Sequence, residues 1–334
     1  MSSKPRLWVS RPTFDDVIAP LREHFDVHAE EVERPLPHDE LKARLAESDA
    51  AIVGLKERIG AGEVAGADKL RIVANLAVGY DNLDIQALTA AGIGASNTAN
   101  VLNESVADFA WALMLGAARR LGEAERWVRA GQWKRPAGYL DWMGVDLFGR
   151  TLGILGMGRI GQTVARRAVG FRMPVIYHNR SRLDAATERE CGARYVDKTT
   201  LLRESDALVL VVPRTSETHH IIDAEALAAM KPTAVLVNVA RGGVVDEAAL
   251  AAALADKRIA AAGLDVFEDE PSVHPALLEL DNVVLSPHMA SASVGTRRAM
   301  AAAAADNVLA FFGLGEHAGK PPNLLNPEVL KPSS

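Results

Sequence analysis

The chain has 334 residues, 49% of them hydrophobic and 24% charged, which is the composition of a folded globular protein and excludes disordered, fibrous and collagen-like classes. At roughly 150 residues per domain the length suits about two domains with a large buried core. Lys plus Arg number 37 against 43 for Asp plus Glu, a formal charge of −6, so the basic excess of a nucleic-acid binder is missing.

One cysteine, Cys191, cannot form an internal disulfide and fits a reducing compartment. The start from Met1 to Asp16 carries no apolar signal-like stretch. The longest apolar run, Phe109 to Ala118, is half of the roughly 20 residues that a membrane span needs. The expectation is a cytoplasmic protein that engages neither membrane nor nucleic acid.

Short apolar runs come first in the chain: Leu7-Trp8-Val9, Ala50 to Val53, Ile72 to Leu76 and Ile93 to Ala95. Helix-length segments separate them, a pattern that predicts four or five parallel strands covered on both faces. Asn103 is a candidate N-cap for a helix reaching Ala118, with Glu104 in its first turn. The all-round apolarity of that helix implies burial, an intersubunit position being one option. A second series follows at Thr151 to Leu155, Val175 to Tyr177, Ala207 to Val212, Ala234 to Val237 and Val283 to Leu285, predicting a larger doubly wound sheet. Arg297 to Phe312 reads as a helix. If it returns to the first unit, the first domain is discontinuous.

Gly156-Met157-Gly158-Arg159-Ile160-Gly161 directly follows a predicted strand and runs into a predicted helix. Glycines there permit a tight turn and close approach of backbone to a pyrophosphate, and the helix start supplies free N–H donors. After the next strand come Asn179, Arg180, Ser181 and Arg182, where an acid would otherwise meet a ribose 2′-hydroxyl. Donors at that place favour a 2′-phosphate, hence NADP over NAD, with NAD use left open. Arg241, Glu270 and His288 each follow a predicted strand in the same half, at the sheet edge where open α/β folds bind ligands. Together they offer a cation for a carboxylate, an imidazole for proton transfer and an acid to favour its charged form. His219-His220 lacks metal-ligand spacing, so no metal is expected.

These residues, with Val78-Gly79-Tyr80-Asp81-Asn82, Arg241 to Glu247 and Pro287-His288, make the chain resemble the D-isomer-specific 2-hydroxyacid dehydrogenases over nearly its whole length. Within that family it is most similar to the bacterial NADPH-dependent glyoxylate/hydroxypyruvate reductases, also called 2-ketogluconate or 2-ketoaldonate reductases. The resemblance implies a Rossmann-type nucleotide domain, residues 102–289, inserted into a smaller flavodoxin-like substrate domain, residues 1–101 and 290–334. It implies reduction of small 2-keto acids to D-2-hydroxy acids, with Arg241 gripping the carboxylate, His288 donating the proton and Glu270 pairing with it. Val78 and Gly79 are implied to bind the same carboxylate, and Trp142 to shape substrate size from a loop near a dimer partner. Cofactor contacts are implied at Gly156, Gly158, Arg159, Ile160, Gly161, Asn179, Arg180, Ser181, Val212, Pro213, Thr218, Val239, Ala240, Asp265, His288 and Ala290. Asn103 and Ala290 depart from the residues common in relatives, and Val78 stands where phosphite-oxidising relatives carry lysine. A homodimer is expected. The alternatives are an NAD-dependent dehydrogenase of another D-2-hydroxy acid, and a dinucleotide-sensing binding protein.

Overall fold

The computed structural model describes residues 4–330. Met1 to Ser3, part of the leader reading, and residues 331–334, part of the expected 290–334 segment, lie outside the described residues. The chain divides into two compact units. One runs to Leu102 and resumes at Ala292, and the other is Asn103–Ser291.

The first unit holds five parallel strands, β1 (Arg6–Val9), β2 (Asp26–Ala29), β3 (Ala50–Val53), β4 (Ile72–Asn75) and β5 (Gly94–Ser96), in the order β2-β1-β3-β4-β5. Alternate side chains of a strand face opposite ways, and both faces of this sheet are covered. Trp8, Ala51, Val53 and Val73 pack in one core; Leu7, Val9, Ile52 and Ile72 pack in another with Ala304, Ala305 and Val308 of the helix Val294–Phe311. The first unit is therefore completed by the C-terminal helix.

The second unit holds β6 (Leu152–Leu155), β7 (Val175–His178), β8 (Ala193–Tyr195), β9 (Ala207–Leu210), β10 (Val235–Asn238), β11 (Ala261–Leu264) and β12 (Val283–Leu285). Their order, β12-β11-β10-β9-β6-β7-β8, reverses direction between β6 and β9, which is the doubly wound arrangement with its switch point at that crevice. The expected pair of parallel α/β sheets, the smaller flavodoxin-like and the larger Rossmann-type, is what the chain forms.

Local readings are refined at three places. Strands β2 and β8 lie at sheet edges, where one partner suffices, so their partly exposed sequences carried no continuous apolar signal. The helix Asn103–Ala118 starts at Asn103 itself, one residue earlier than a cap there implies. Most of its apolar surface is buried inside its own unit, against β10, β11 and the helix Arg159–Arg167, while Phe109 and Leu115 are half-buried. Trp111 donates its indole N–H to the Val164 carbonyl at 3.2 Å and stacks on Phe171.

Candidate active site

At the switch point, β6 ends at Leu155 and the backbone turns sharply. Gly156 has φ +104, a conformation that a β-carbon would strain, and such a carbon would lie 2.8 Å from the Val211 carbonyl carbon. At Gly161 it would lie 2.3 Å from the Gly156 carbonyl oxygen, so this residue sets the approach of helix to loop. Gly158, by contrast, faces open space, with no heavy atom within 4 Å of a built β-carbon. It is the N-cap of the helix Arg159–Arg167, whose first turn contains Ile160 and leaves N–H groups for an anion. The turn thus fits a dinucleotide pyrophosphate: tight where the chain packs on itself, and open where a phosphate needs room.

Asn179 follows β7, and its side-chain oxygen accepts from the Met157 N–H at 2.6 Å, so one side of its amide braces the glycine turn. Arg180 and Ser181 are exposed beside it. Arg182 is corrected: its guanidinium makes a bidentate pair with Glu188 at 2.8 and 2.7 Å and is committed to the protein. Glu217 lies low in its titration chiefly through the Thr215 hydroxyl, and the Arg180 charge acts on it in the same direction. Val212 and Pro213 open the loop after β9; Thr218 closes it, donating its hydroxyl to the Pro213 carbonyl at 2.7 Å and accepting from the Thr215 N–H at 2.8 Å.

Strand β10 ends in Asn238, only 2% exposed, which accepts from the Ala240 N–H at 3.0 Å and donates to the Arg241 carbonyl at 3.1 Å. This buried amide shapes the turn Val239-Ala240-Arg241, and the half-buried Arg241 guanidinium leans on the Ala240 carbonyl at 2.8 Å. Next along, Gly242 touches the loop after β11 so closely that a β-carbon would stand 1.7 Å from the Phe267 carbonyl oxygen. The two loops also exchange carboxylate bonds. Glu247 accepts from the Glu268 N–H at 2.7 Å, while Glu268 accepts from the Glu247 N–H at 3.1 Å and pairs with His220 at 3.0 Å. Burial, with the Glu268 charge beside it, raises the Glu247 carboxyl above its usual range.

His288 and Glu270 meet at 2.8 Å between Nδ1 and Oε2, leaving the imidazole Nε2 for a ligand. The other Glu270 oxygen accepts from the Phe267 N–H at 3.1 Å. Burial pushes the Glu270 carboxyl up, but the His288 bond and charge, the Phe267 N–H and the Arg241 charge outweigh it and hold the group below its ordinary value. Asp265, 1% exposed, accepts from the Ser286 hydroxyl and the Met289 N–H on one oxygen and from the Ala290 N–H on the other, at 2.7, 2.8 and 2.8 Å. Its carbonyl also takes the His288 N–H at 2.8 Å. The carboxylate of Asp265, one of the implied cofactor contacts, fastens the loop Ser286 to Ala290. That loop holds His288 at φ +52, a left-handed conformation uncommon outside glycine.

Arg241, Glu270 and His288 thus stand at the carboxyl ends of adjacent strands of one sheet, braced by Asn238, Asp265, Glu247 and Glu268. Of these, Asn238 and the reciprocal glutamates escaped the sequence reading. The one available signal was a polar residue ending an otherwise apolar strand at Asn238. Val78 and Gly79 are in the first unit, in the loop after β4. Trp142, in the second unit, packs edge-on against Trp127 with ring centroids 5.1 Å apart and under the Arg120 guanidinium, so its own chain accounts for its half-buried position.

Residues 111–290 match the family model of the D-isomer specific 2-hydroxyacid dehydrogenase NAD-binding domain. Glyoxylate reductase of Thermococcus onnurineus is 48% identical over 330 residues, covering 98% of this chain and 97% of that protein. Among solved structures, a putative D-isomer specific 2-hydroxyacid dehydrogenase from Polaromonas superposes with TM-score 0.89 at 35% identity, covering 96% and 99% of the two chains. The NADPH-dependent glyoxylate/hydroxypyruvate reductase of Sinorhizobium meliloti, solved with NADP and malonate, gives 0.86 at 37% identity over 99% and 100%.

Proposed function

Since the chain belongs to the D-isomer specific 2-hydroxyacid dehydrogenase family, an oxidoreductase family, we propose that it reduces glyoxylate and related small 2-keto acids, hydroxypyruvate and 2-ketogluconate among them, to D-2-hydroxy acids. The observation that carries this reading is the His288–Glu270 pair, with Arg241 acting on the same carboxylate. A 2-keto acid presents a carboxylate beside a carbonyl that becomes an alkoxide. Arg241 answers the carboxylate and the developing oxyanion, and His288 donates the proton from Nε2 while Glu270 keeps the imidazolium paired. The dinucleotide supplies the hydride when bound, on the turn Gly156 to Gly161 with Val212, Pro213, Thr218, Val239, Ala240 and Ala290 as further contacts. Val78 and Gly79, in the loop after β4, are the carboxylate-binding residues of the first unit in this reading. Trp142 influences substrate size.

NADPH is the preferred cofactor in this reading, because Arg180, Ser181 and the Asn179 amide supply donors and residues 179–183, directly after β7, include no acid. NADH is kept in this reading as an alternative cofactor. The protein acts as a homodimer in the cytoplasm. A run of exposed apolar side chains, Leu121, Val128, Trp133, Tyr139, Leu140, Met143 and Phe148, supports the dimer, and the free buried thiol of Cys191 suits reducing surroundings.

The test is absorbance loss at 340 nm with NADPH or NADH and each keto acid. Turnover with NADPH and glyoxylate is expected, and His288→Asn lowers kcat by about a hundredfold or more while NADPH still binds. Cofactor binding without turnover on any keto acid would overturn the reading in favour of a dinucleotide sensor.

A further inference from the structure

We propose that the buried side-chain amides of Asn75 and Asn97 are positioning residues that turn the backbone N–H groups of Gly79 and Tyr80 toward a substrate carboxylate. This rests on the reading of Val78 and Gly79 as carboxylate-binding. Asn97 donates to the Val78 carbonyl at 2.8 Å, and Asn75 donates to the Gly79 carbonyl at 2.8 Å. Both donors are interior, Asn75 at 0% and Asn97 at 7% exposure. The peptides after Val78 and Gly79 are trans, so each N–H points opposite to the carbonyl in its plane. With both carbonyls turned inward, the N–H groups of Gly79 and Tyr80 turn outward, from a stretch that is half-buried at Gly79 and exposed at Tyr80. Among the described residues, neither N–H donates a hydrogen bond. Two adjacent free N–H groups in a fixed orientation form an anion site, with charge-assisted bonds to a carboxylate.

The orientation of each asparagine is itself fixed. The Asn97 oxygen accepts from the Ala99 N–H at 3.2 Å. Asn75 exchanges bonds with Asn82 at 3.2 and 3.4 Å, and Asn82 is tied to the Gly54 and Glu57 carbonyls at 3.0 Å each. Rotating either amide would set oxygen against carbonyl oxygen.

Asn97→Asp and Asn75→Asp keep the accepting oxygen and replace the donor by a second acceptor. They favour the opposite peptide orientation, with a carbonyl facing the ligand. Each should raise KM for glyoxylate by about tenfold. kcat and KM for NADPH should stay within about twofold, a split that general loosening of the fold does not produce. Oxalate, which does not react, should lose inhibition by the same factor. In amide NMR, oxalate should shift Gly79 and Tyr80 in the parent protein and not in Asn97→Asp. Should an Asp variant fail to fold, Asn97→Ala is expected to shift KM in the same direction by less. Folded variants with unchanged KM and unchanged oxalate inhibition would overturn the proposal, as would oxalate binding that leaves both amides unmoved. If the parent protein turns over no keto acid, the functional reading falls, and the oxalate titration alone decides the role of the asparagines.

Discussion

His288 and Glu270 work as a pair because each solves the other's problem: the carboxylate is half-buried and needs a counter-charge, and the imidazole needs an anion to carry its proton. Replacing Glu270 with Gln removes the anion while keeping the shape. Reduction should then fall by about tenfold or more, measured as kcat/KM with glyoxylate. The same pair contributes to stability. The Glu270 carboxyl is held below 4.5, so its contribution is present above that value and is lost as the pH falls through the folded-state value. Glu247 is raised above 4.5, so its sign is reversed: its contribution is greatest below that value and declines as the pH rises through the folded-state value. Glu247→Gln should therefore make thermal unfolding less sensitive to pH just above 4.5. At Asn179, substitution by Asp retains the bond to the Met157 N–H and adds a charge. The expected outcome is loss of NADPH efficiency by about tenfold or more with NADH use kept, read from kcat/KM with each cofactor.

Loops after β10 and β11 carry Arg241 and Glu270, and their contact depends on Gly242. A β-carbon there collides with the Phe267 carbonyl, which is backbone and cannot move away alone. Gly242→Ala should cost about 1–3 kcal/mol in denaturant unfolding and separate Arg241 from Glu270, so activity falls more than stability. Strands were legible where both faces are buried: β3, β6 and β9 are apolar from end to end, and β4 and β10 are apolar up to the asparagine that ends each. Edge strands β2 and β8 were not, because a strand with one neighbour and a wet side has no need of that composition.

Across the whole chain, the second unit has a core drawn from its own residues, from Leu155 to Val283, whereas a core of the first unit includes Ala304, Ala305 and Val308 from the far end of the sequence. An excised fragment spanning 103–291 should therefore unfold cooperatively on its own. Removing everything after residue 291 should instead strip one face of the five-stranded sheet and abolish its transition. Differential scanning calorimetry of both pieces checks this; a cooperative first-unit transition in the truncated chain would count against it.

Composition, strand periodicity, the glycine turn after β6 and the order of Arg241, Glu270 and His288 along the chain determined the fold class and the chemical type of the site, because each depends on local sequence alone. The tertiary structure decided what no local signal encodes. It committed Arg182 to Glu188, fastened the His288 loop with Asp265, crossed the Glu247 and Glu268 carboxylates between two loops, and turned two peptides toward Asn75 and Asn97. Which polar group satisfies which is settled only when distant segments are brought within about 3 Å, and burial then leaves each of them few other partners.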